Sequence, residues 1–268
     1  MAAALPAVII ISSVKWLRLI TCGGSAIFLC VLIAALPPGS PSDPPAEFHF
    51  LRLEYHDFWR RGRPWWMQDW PEADAHFTQG IRRLTRIDTG EGRHFSLLDD
   101  QIFDYPWIYA TQTGFWDSSD RETARLREYL DRGGFLVVDD FHGPQDWEVF
   151  RASMERVFPG RPILDLADAD PIMRVHYDVS QPVKNQVPIP GLRHLRGYGR
   201  GPASVQMQYG PPHWRAIYDE KGRMQVAINF NMDVGDAWEH ADMPEYPEEM
   251  TALAYRFGIN YIIYSMTH

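Results

Sequence analysis

The chain has 268 residues, 45% hydrophobic and 23% charged, with 26 Lys+Arg against 35 Asp+Glu and a formal charge of −9. An acidic balance of that size argues against nucleic acid as a partner and against flat contact with anionic lipid. Both cysteines, Cys22 and Cys30, lie in one apolar run near the N-terminus, so the remainder can hold no internal disulfide, thiolate metal site or cysteine nucleophile.

That run is Leu19 to Leu36, 18 uncharged residues following Lys15 and Arg18. It is long enough to cross a hydrocarbon core as a helix. Both cations lie on its N-terminal side, which assigns residues 1–18 to the cytoplasm and everything beyond residue 36 to the extracytoplasmic side. A cleaved signal peptide is the rival reading. Its apolar core would be longer than usual, and cleavage after Ala34 or Ala35 puts Leu32 or Ile33 where a small residue is wanted. A lipid-anchored start at Cys22 fits poorly, because apolar residues continue to Leu36. The expectation is a retained single-pass membrane helix over residues 19–36. Residues 37–46 follow as a stiff Pro-rich spacer, with prolines at 37, 38, 41, 44 and 45. Residues 47–268 then form one extracytoplasmic domain with room for a sizeable core.

Within that domain, Phe48 to Tyr55 alternates in the manner of a strand. A Trp-rich segment follows (Trp59, Trp65, Trp66, Trp70), read as the cover of one end of the core, with sugar stacking or an interfacial position as alternatives. Ala73 to Arg86 has helical spacing, with Phe77, Ile81 and Leu84 on one face. Phe95 to Leu98 and Trp107 to Ala110 are predicted strands. Ser118-Ser119-Asp120 caps a helix running to about Asp131, with Glu122 placed for a capping box and Gly133-Gly134 ending it. Phe135-Leu136-Val137-Val138 is a continuous apolar strand of the kind buried on both faces, closed by Asp139-Asp140. A helix from about Asp146 to Val157 and a strand at Ile163-Leu164 come next. Gln181 to Pro212 is rich in Pro and Gly and reads as a long irregular excursion. Trp214 to Tyr218 and Met224 to Phe230 form a hairpin around Glu220-Lys221-Gly222, and a final helix spans roughly Pro247 to Tyr264. Strands alternating with helices predict an α/β fold on a parallel sheet with helices on both faces.

Several blocks carry a resemblance. They are Phe50-Leu51-Arg52-Leu53-Glu54-Tyr55, Tyr105-Pro106-Trp107-Ile108-Tyr109, Leu126 to Leu136 with Asp139-Asp140, Asp170-Pro171-Ile172, Asn231 to Glu239, and Gly258-Ile259-Asn260-Tyr261. Together they resemble a bacterial family of domains of unknown function, DUF4159, over nearly all of residues 47–268. The resemblance implies a flavodoxin-like α/β fold of the class I glutamine amidotransferase type, often carried in membrane-anchored chains of the cell envelope, and it brings no established activity. The chain departs from the pattern twice. Asp170 stands where the family tends to have His before Pro-Ile. Asp139-Asp140-Phe141 stands where amidotransferases place a cysteine, which removes glutaminase chemistry.

In an open parallel sheet, ligands bind beyond the carboxyl ends of the strands. Those ends deliver Tyr55, His56 and Asp57; then Thr111, Gln112, Thr113 and Gly114; then Asp139, Asp140 and His142. Adjacent carboxylates at the end of a buried strand repel one another and lose solvent. The doublet is read either as a metal or polar-ligand site, or a nucleophilic Asp, or as a helix cap plus a loop acceptor. Asp233, Asp236, Glu239 and His240 form a second cluster. It supplies oxygens and an imidazole to a divalent cation shared with Asp139, Asp140 and His142, or caps a short helix near Gly235 with Trp238 beneath it. Arg52, among apolar neighbours, is expected to pair with a carboxylate such as Asp139 or to snorkel. No Gly-x-Ser-x-Gly elbow occurs, Gly197-Tyr198-Gly199-Arg200-Gly201 lacks the Lys-Ser/Thr of a P-loop, and His176, His194 and His213 read as isolated. The expected function is a membrane-tethered domain that binds a ligand or an envelope protein partner at its carboxyl edge, with Asp139 or Asp140 in a hydrolase as the alternative.

Overall fold

A computed structural model describes residues 46–58, 62–196 and 208–268. The apolar run over 19–36, spacer residues 37–45, Trp59 and the Gly197–Gly201 loop lie outside the described residues. Among the described residues no helix is long and apolar enough to cross a membrane.

The domain is α/β. Its strands are β1 (Leu51–Glu54), β2 (Arg93–Ser96), β3 (Trp107–Thr111), β4 (Phe135–Phe141), β5 (Leu164–Asp165), β6 (His213–Tyr218) and β7 (Met224–Phe230). They form one seven-stranded sheet in the order β2-β1-β3-β4-β7-β6-β5. The first five in that order are parallel, whereas the hairpin strand β6 and the two-residue β5 pair antiparallel at one edge. The parallel sheet expected from sequence is thus extended by an antiparallel edge, as large α/β sheets commonly are. The predicted strand Phe95 to Leu98 is Arg93–Ser96 instead, because Leu97 is drawn into the core while Ser96 binds the Asp99 carboxylate.

The helices are α1 (Glu72–Leu84), α2 (Asp120–Asp131), α3 (Gly143–Val157), α4 (Ser180–Lys184), α5 (Leu192–Leu195), α6 (Val234–Glu239) and α7 (Glu248–Thr267). Strand side chains alternate between two apolar layers. Phe50, Trp107, Tyr109, Phe135 and Val137 pack with Phe77 of α1, Trp238 of α6 and Phe257 of α7. Leu51, Leu53, Ile108, Leu136 and Val138 pack with Leu126 and Leu130 of α2 and Phe150 and Met154 of α3. The sheet is therefore covered on both faces. Ser119 caps α2 in a reciprocal box: its hydroxyl accepts from Glu122 N at 3.2 Å, and Glu122 Oε2 accepts from Ser119 N at 2.8 Å. The excursion after Gln181 is not wholly irregular, since α4 and α5 lie within it. The chain winds from β1 outward to β2, then returns to β3 on β1's other side. The sheet thus reverses direction between β1 and β3, and crevices open beyond the carboxyl ends at such a reversal.

Candidate functional site

In a regular strand Leu136, Val138 and residue 140 would share a face. Phe141 instead joins Leu136 and Val138 in one layer, because the β4–β7 register shifts between Val138 and Phe141. An extra residue is housed there, and Asp140 takes a left-handed φ of 51°. A bulge of this kind re-aims side chains. It lifts Asp140 off the apolar layer and turns the doublet to the carboxyl edge, which the sequence placed simply after the strand. Asp139, fully buried, accepts at Oδ2 from the Tyr109 hydroxyl (2.8 Å) and Gly235 N (2.9 Å), while its Oδ1 makes no hydrogen bond. Asp140 Oδ1 lies 3.1 Å from His142 Nε2, and Oδ2 accepts from Gln112 Nε2 at 2.5 Å. The His142 ring stacks on Tyr209 and stands 6.3 Å from His194, so His194 is not isolated as the sequence suggested.

The second cluster arrives on α6. Asp233 caps that helix, accepting from Asp236 N at 2.9 Å, and Asp236 Oδ2 accepts from Leu192 N. Capping and convergence therefore coexist at Asp233, whereas Asp236 gives an oxygen to Leu192 N of α5 rather than to an amide of its own helix. Gly191 runs so close that a Cβ there would lie 2.6 Å from Asp233 Oδ2 and 3.1 Å from Asp236 Oδ2. At the rim, His240 Nε2 lies 3.3 Å from Asp236 Oδ1 and 3.4 Å from Glu239 Oε2.

A fifth aspartate, Asp69, joins from the segment between β1 and α1. It is only 6% exposed, its Oδ1 accepts from Gln68 Nε2 at 2.6 Å, and its Oδ2 makes no hydrogen bond. Arg52 of β1 holds this segment. Its Nη1 donates to the carbonyls of Trp66 (3.2 Å) and Gln68 (2.9 Å). Its Nε donates to both oxygens of Asp74 at 3.0 Å, and Nη2 completes that ion pair. The expected Arg52–Asp139 pair is thus replaced by Arg52–Asp74, because Asp74 sits on the buried face of α1 directly against the sheet.

Gathering these acids has an electrostatic cost. Burial, and after it the neighbouring Asp140 carboxylate, pushes Asp139 up to about 7. Burial first, then the charges of Asp140 and Asp236, hold Asp69 and Asp233 well above the usual aspartate range. Burial also raises Glu239, whereas the hydrogen bond to Asp236 raises His240. The backbone is strained in the same place. Among the described residues, five non-glycines have left-handed φ, and four of them carry or border the cluster: Asp69, Gln112, Asp140 and Asn231. Conformations of this kind cost about 1–3 kcal/mol each and gather at functional sites.

A cleft of about 480 Å³ opens onto the cluster, lined by Gln112, Asp140, Asp233, Asp236, Glu239 and His240 with Arg193 and Arg196. Other sequence candidates fall elsewhere. Tyr55 is buried and donates to the carbonyls of Thr111 and Gln112, which braces the β1–β3 reversal. His56 lines a separate hollow of about 330 Å³ with Asp57, Trp66 and Glu122, its Nδ1 3.1 Å from Glu122 Oε1. Thr113 is fully buried. Gly114 is a packing position, since a Cβ there would lie 2.4 Å from Asp146, the residue that accepts from His142 N. Asp170 accepts from Ile172 N at 3.0 Å and from the Tyr218 hydroxyl, which makes it a turn cap. Trp65 and Trp66 pack against the α2/α3 layer, Trp65 stacked on Phe115 at 4.5 Å. Sequence reading missed Asp69. Its only local sign is a Gln-Asp pair inside the aromatic run Trp65 to Trp70.

No curated protein matches the chain. A family model described as a domain of unknown function matches residues 49–266, a span that takes in both layers of the sheet and every acid of the cleft. The chain therefore belongs to the DUF4159 family, as its sequence blocks imply.

Proposed function

We propose that the chain is a membrane-anchored, extracytoplasmic binding protein of the bacterial cell envelope. Its scaffold is flavodoxin-like and of the class I glutamine amidotransferase type, reused without the thiol. Its ligand, a cation or a molecule bearing a cationic group, occupies the acid-lined cleft beyond β3, β4 and β7. The strand order supports the scaffold: β2-β1-β3-β4-β7 repeats the 2-1-3-4-5 succession of flavodoxin-like sheets. The run over 19–36 and the stiff spacer support the anchor.

The observation that carries the ligand reading is the meeting of Asp69, Asp140, Asp233 and Asp236 from three separate segments, with a buried carboxylate oxygen that no donor serves. Buried charge is paired or it destabilises. A cluster kept for stability would be fully paired, whereas a cluster kept for a ligand is costly until the ligand arrives. Unfolding of the full chain in chelator separates the two. Asp69→Asn and Asp140→Asn, each removing a charge while keeping the shape, are expected to raise Tm by several degrees. A fall in Tm for both would mean the acids are structural and the reading is wrong.

One observation favours an Asp-dependent hydrolase as a second reading: the buried Asp140–His142 contact at 3.1 Å. Turnover of chromogenic ester or phosphate substrates by the wild type, lost in Asp140→Asn, would replace binding with catalysis.

A further inference from the structure

We infer that Asp69, Asp233 and Asp236 hold a hard divalent cation of the Mg²⁺, Mn²⁺ or Ca²⁺ class. This rests on the cleft being a ligand site and names the ligand. One carboxylate oxygen from each of the three lies within 4.8 Å of the others. Oxygen ligands stand about 2.0–2.6 Å from such ions, so oxygens sharing one ion are separated by up to about 5 Å.

The partners of Asp69 and Asp233 leave one oxygen of each free for this purpose, whereas Asp236 Oδ1 is shared with His240 Nε2 at 3.3 Å. Gln68 Nε2 holds Asp69 Oδ1, Asp236 N holds Asp233 Oδ1, and Leu192 N holds Asp236 Oδ2. Fixing one oxygen of a carboxylate orients the other, as outer partners do in metal sites. Asp69 Oδ2, on a side chain more than nine-tenths buried, then makes no hydrogen bond. A Cβ on Gly235 would touch it at 2.9 Å, and the same point lies 3.8 Å from Asp139 Oδ2. Asp139 Oδ1 is a second fully buried oxygen without a donor. The buried cation whose charge reaches Asp69 does not supply the compensation, because Arg52 is taken up by Asp74 and two carbonyls. Three oxygens and no sulfur select a hard ion.

Asp236, Glu239 and His240 also bring ligand atoms within 4.8 Å of one another. There the imidazole already contacts both carboxylates and supplies their partner. The deeper trio is the one with an unserved oxygen, so the ion is assigned to it.

The test uses the full chain in detergent, stripped with chelator. MgCl₂, MnCl₂, CaCl₂ and a primary diamine are titrated while Tm is followed, and Mn²⁺ electron paramagnetic resonance counts bound ions in the wild type. At one hundred times Kd, a bound ion should raise Tm by about 5–10 °C. Asp69→Asn should weaken the ion at least tenfold while its circular dichroism stays that of the wild type. No shift and no bound Mn²⁺ overturns the inference, and stabilised Asn variants in chelator would still leave the cleft reading standing. A shift with the diamine alone overturns the metal and leaves a cationic ligand. An ion retained in Asp69→Asn and lost in Glu239→Gln overturns the placement.

Discussion

Asp139→Asn should stabilise the domain at alkaline pH and not at acid pH. Asp139 is fully buried, and its folded value of about 7 stands above the ordinary aspartate value of 3.8. The folded state therefore holds a proton that the unfolded chain releases, and stability falls as pH rises from about 4 to about 7. At about 1.36 kcal/mol per pH unit the full effect is about 4 kcal/mol, of which about 3 kcal/mol is lost between pH 5 and pH 8. For a domain of this size that is about 5–10 °C of Tm. An asparagine keeps an acceptor for the Tyr109 hydroxyl and Gly235 N, and it puts an NH₂ where Oδ1 has no partner. An unserved buried donor costs about 1–3 kcal/mol at every pH. The variant should then unfold below the wild type at pH 5, where Asp139 is already neutral, and at or above it at pH 8. Differential scanning fluorimetry across pH 5 to 8 in chelator measures the gap. The decisive quantity is the mutant-minus-wild-type Tm, which should climb by about 5–10 °C across that range. A difference that stays flat would mean that Asp139 keeps one protonation state across that range, which refutes a folded value near 7.

Other predictions concern the parts that position the cleft. Arg52→Met strands the Asp74 carboxylate and frees the carbonyls of Trp66 and Gln68, so denaturant unfolding should show a loss of about 3–5 kcal/mol. Arg52→Lys should rescue little, because one ammonium cannot serve a carboxylate and two carbonyls in the geometry of the guanidinium fork. Gly114→Ala drives a methyl into Asp146 and should cost about 1–3 kcal/mol by the same measurement. Ser119→Ala opens the capping box of α2 and should cost about 1 kcal/mol, read as a lower midpoint at unchanged slope.

The elements that could be read in advance are those whose cause is local. The four apolar residues of β4, the Ser119–Glu122 box and the β6–β7 hairpin each carry their whole signal within a few positions. Register is not local. Nothing in Phe135 to Phe141 shows that β4 bulges against β7, because a bulge is a property of two strands at once. The direction in which Asp140 points was therefore out of reach, although its presence at the edge was plain. The Arg52 partner was nearer to hand. Asp74 shares the inner face of α1 with Phe77 and Ile81, and an acid on an apolar helix face facing a fully buried strand arginine is a pair that periodicity alone could have suggested.

Asp69 is the harder case, and it shows why strand ends yield only part of such a site. Its place depends on Arg52, which is 17 positions earlier in the chain and grips the carbonyls of Trp66 and Gln68. It depends equally on Gly235, whose missing side chain leaves room for Asp69 Oδ2 and Asp139 Oδ2 on the same side. Neither cause is adjacent to Asp69 in sequence. Arg52 is buried without lining the cleft, and Gly235 contributes only the absence of a side chain. The acid that completes the trio is thus positioned by a cation committed to another carboxylate. The charge left uncompensated in the trio is what a bound cation would neutralise.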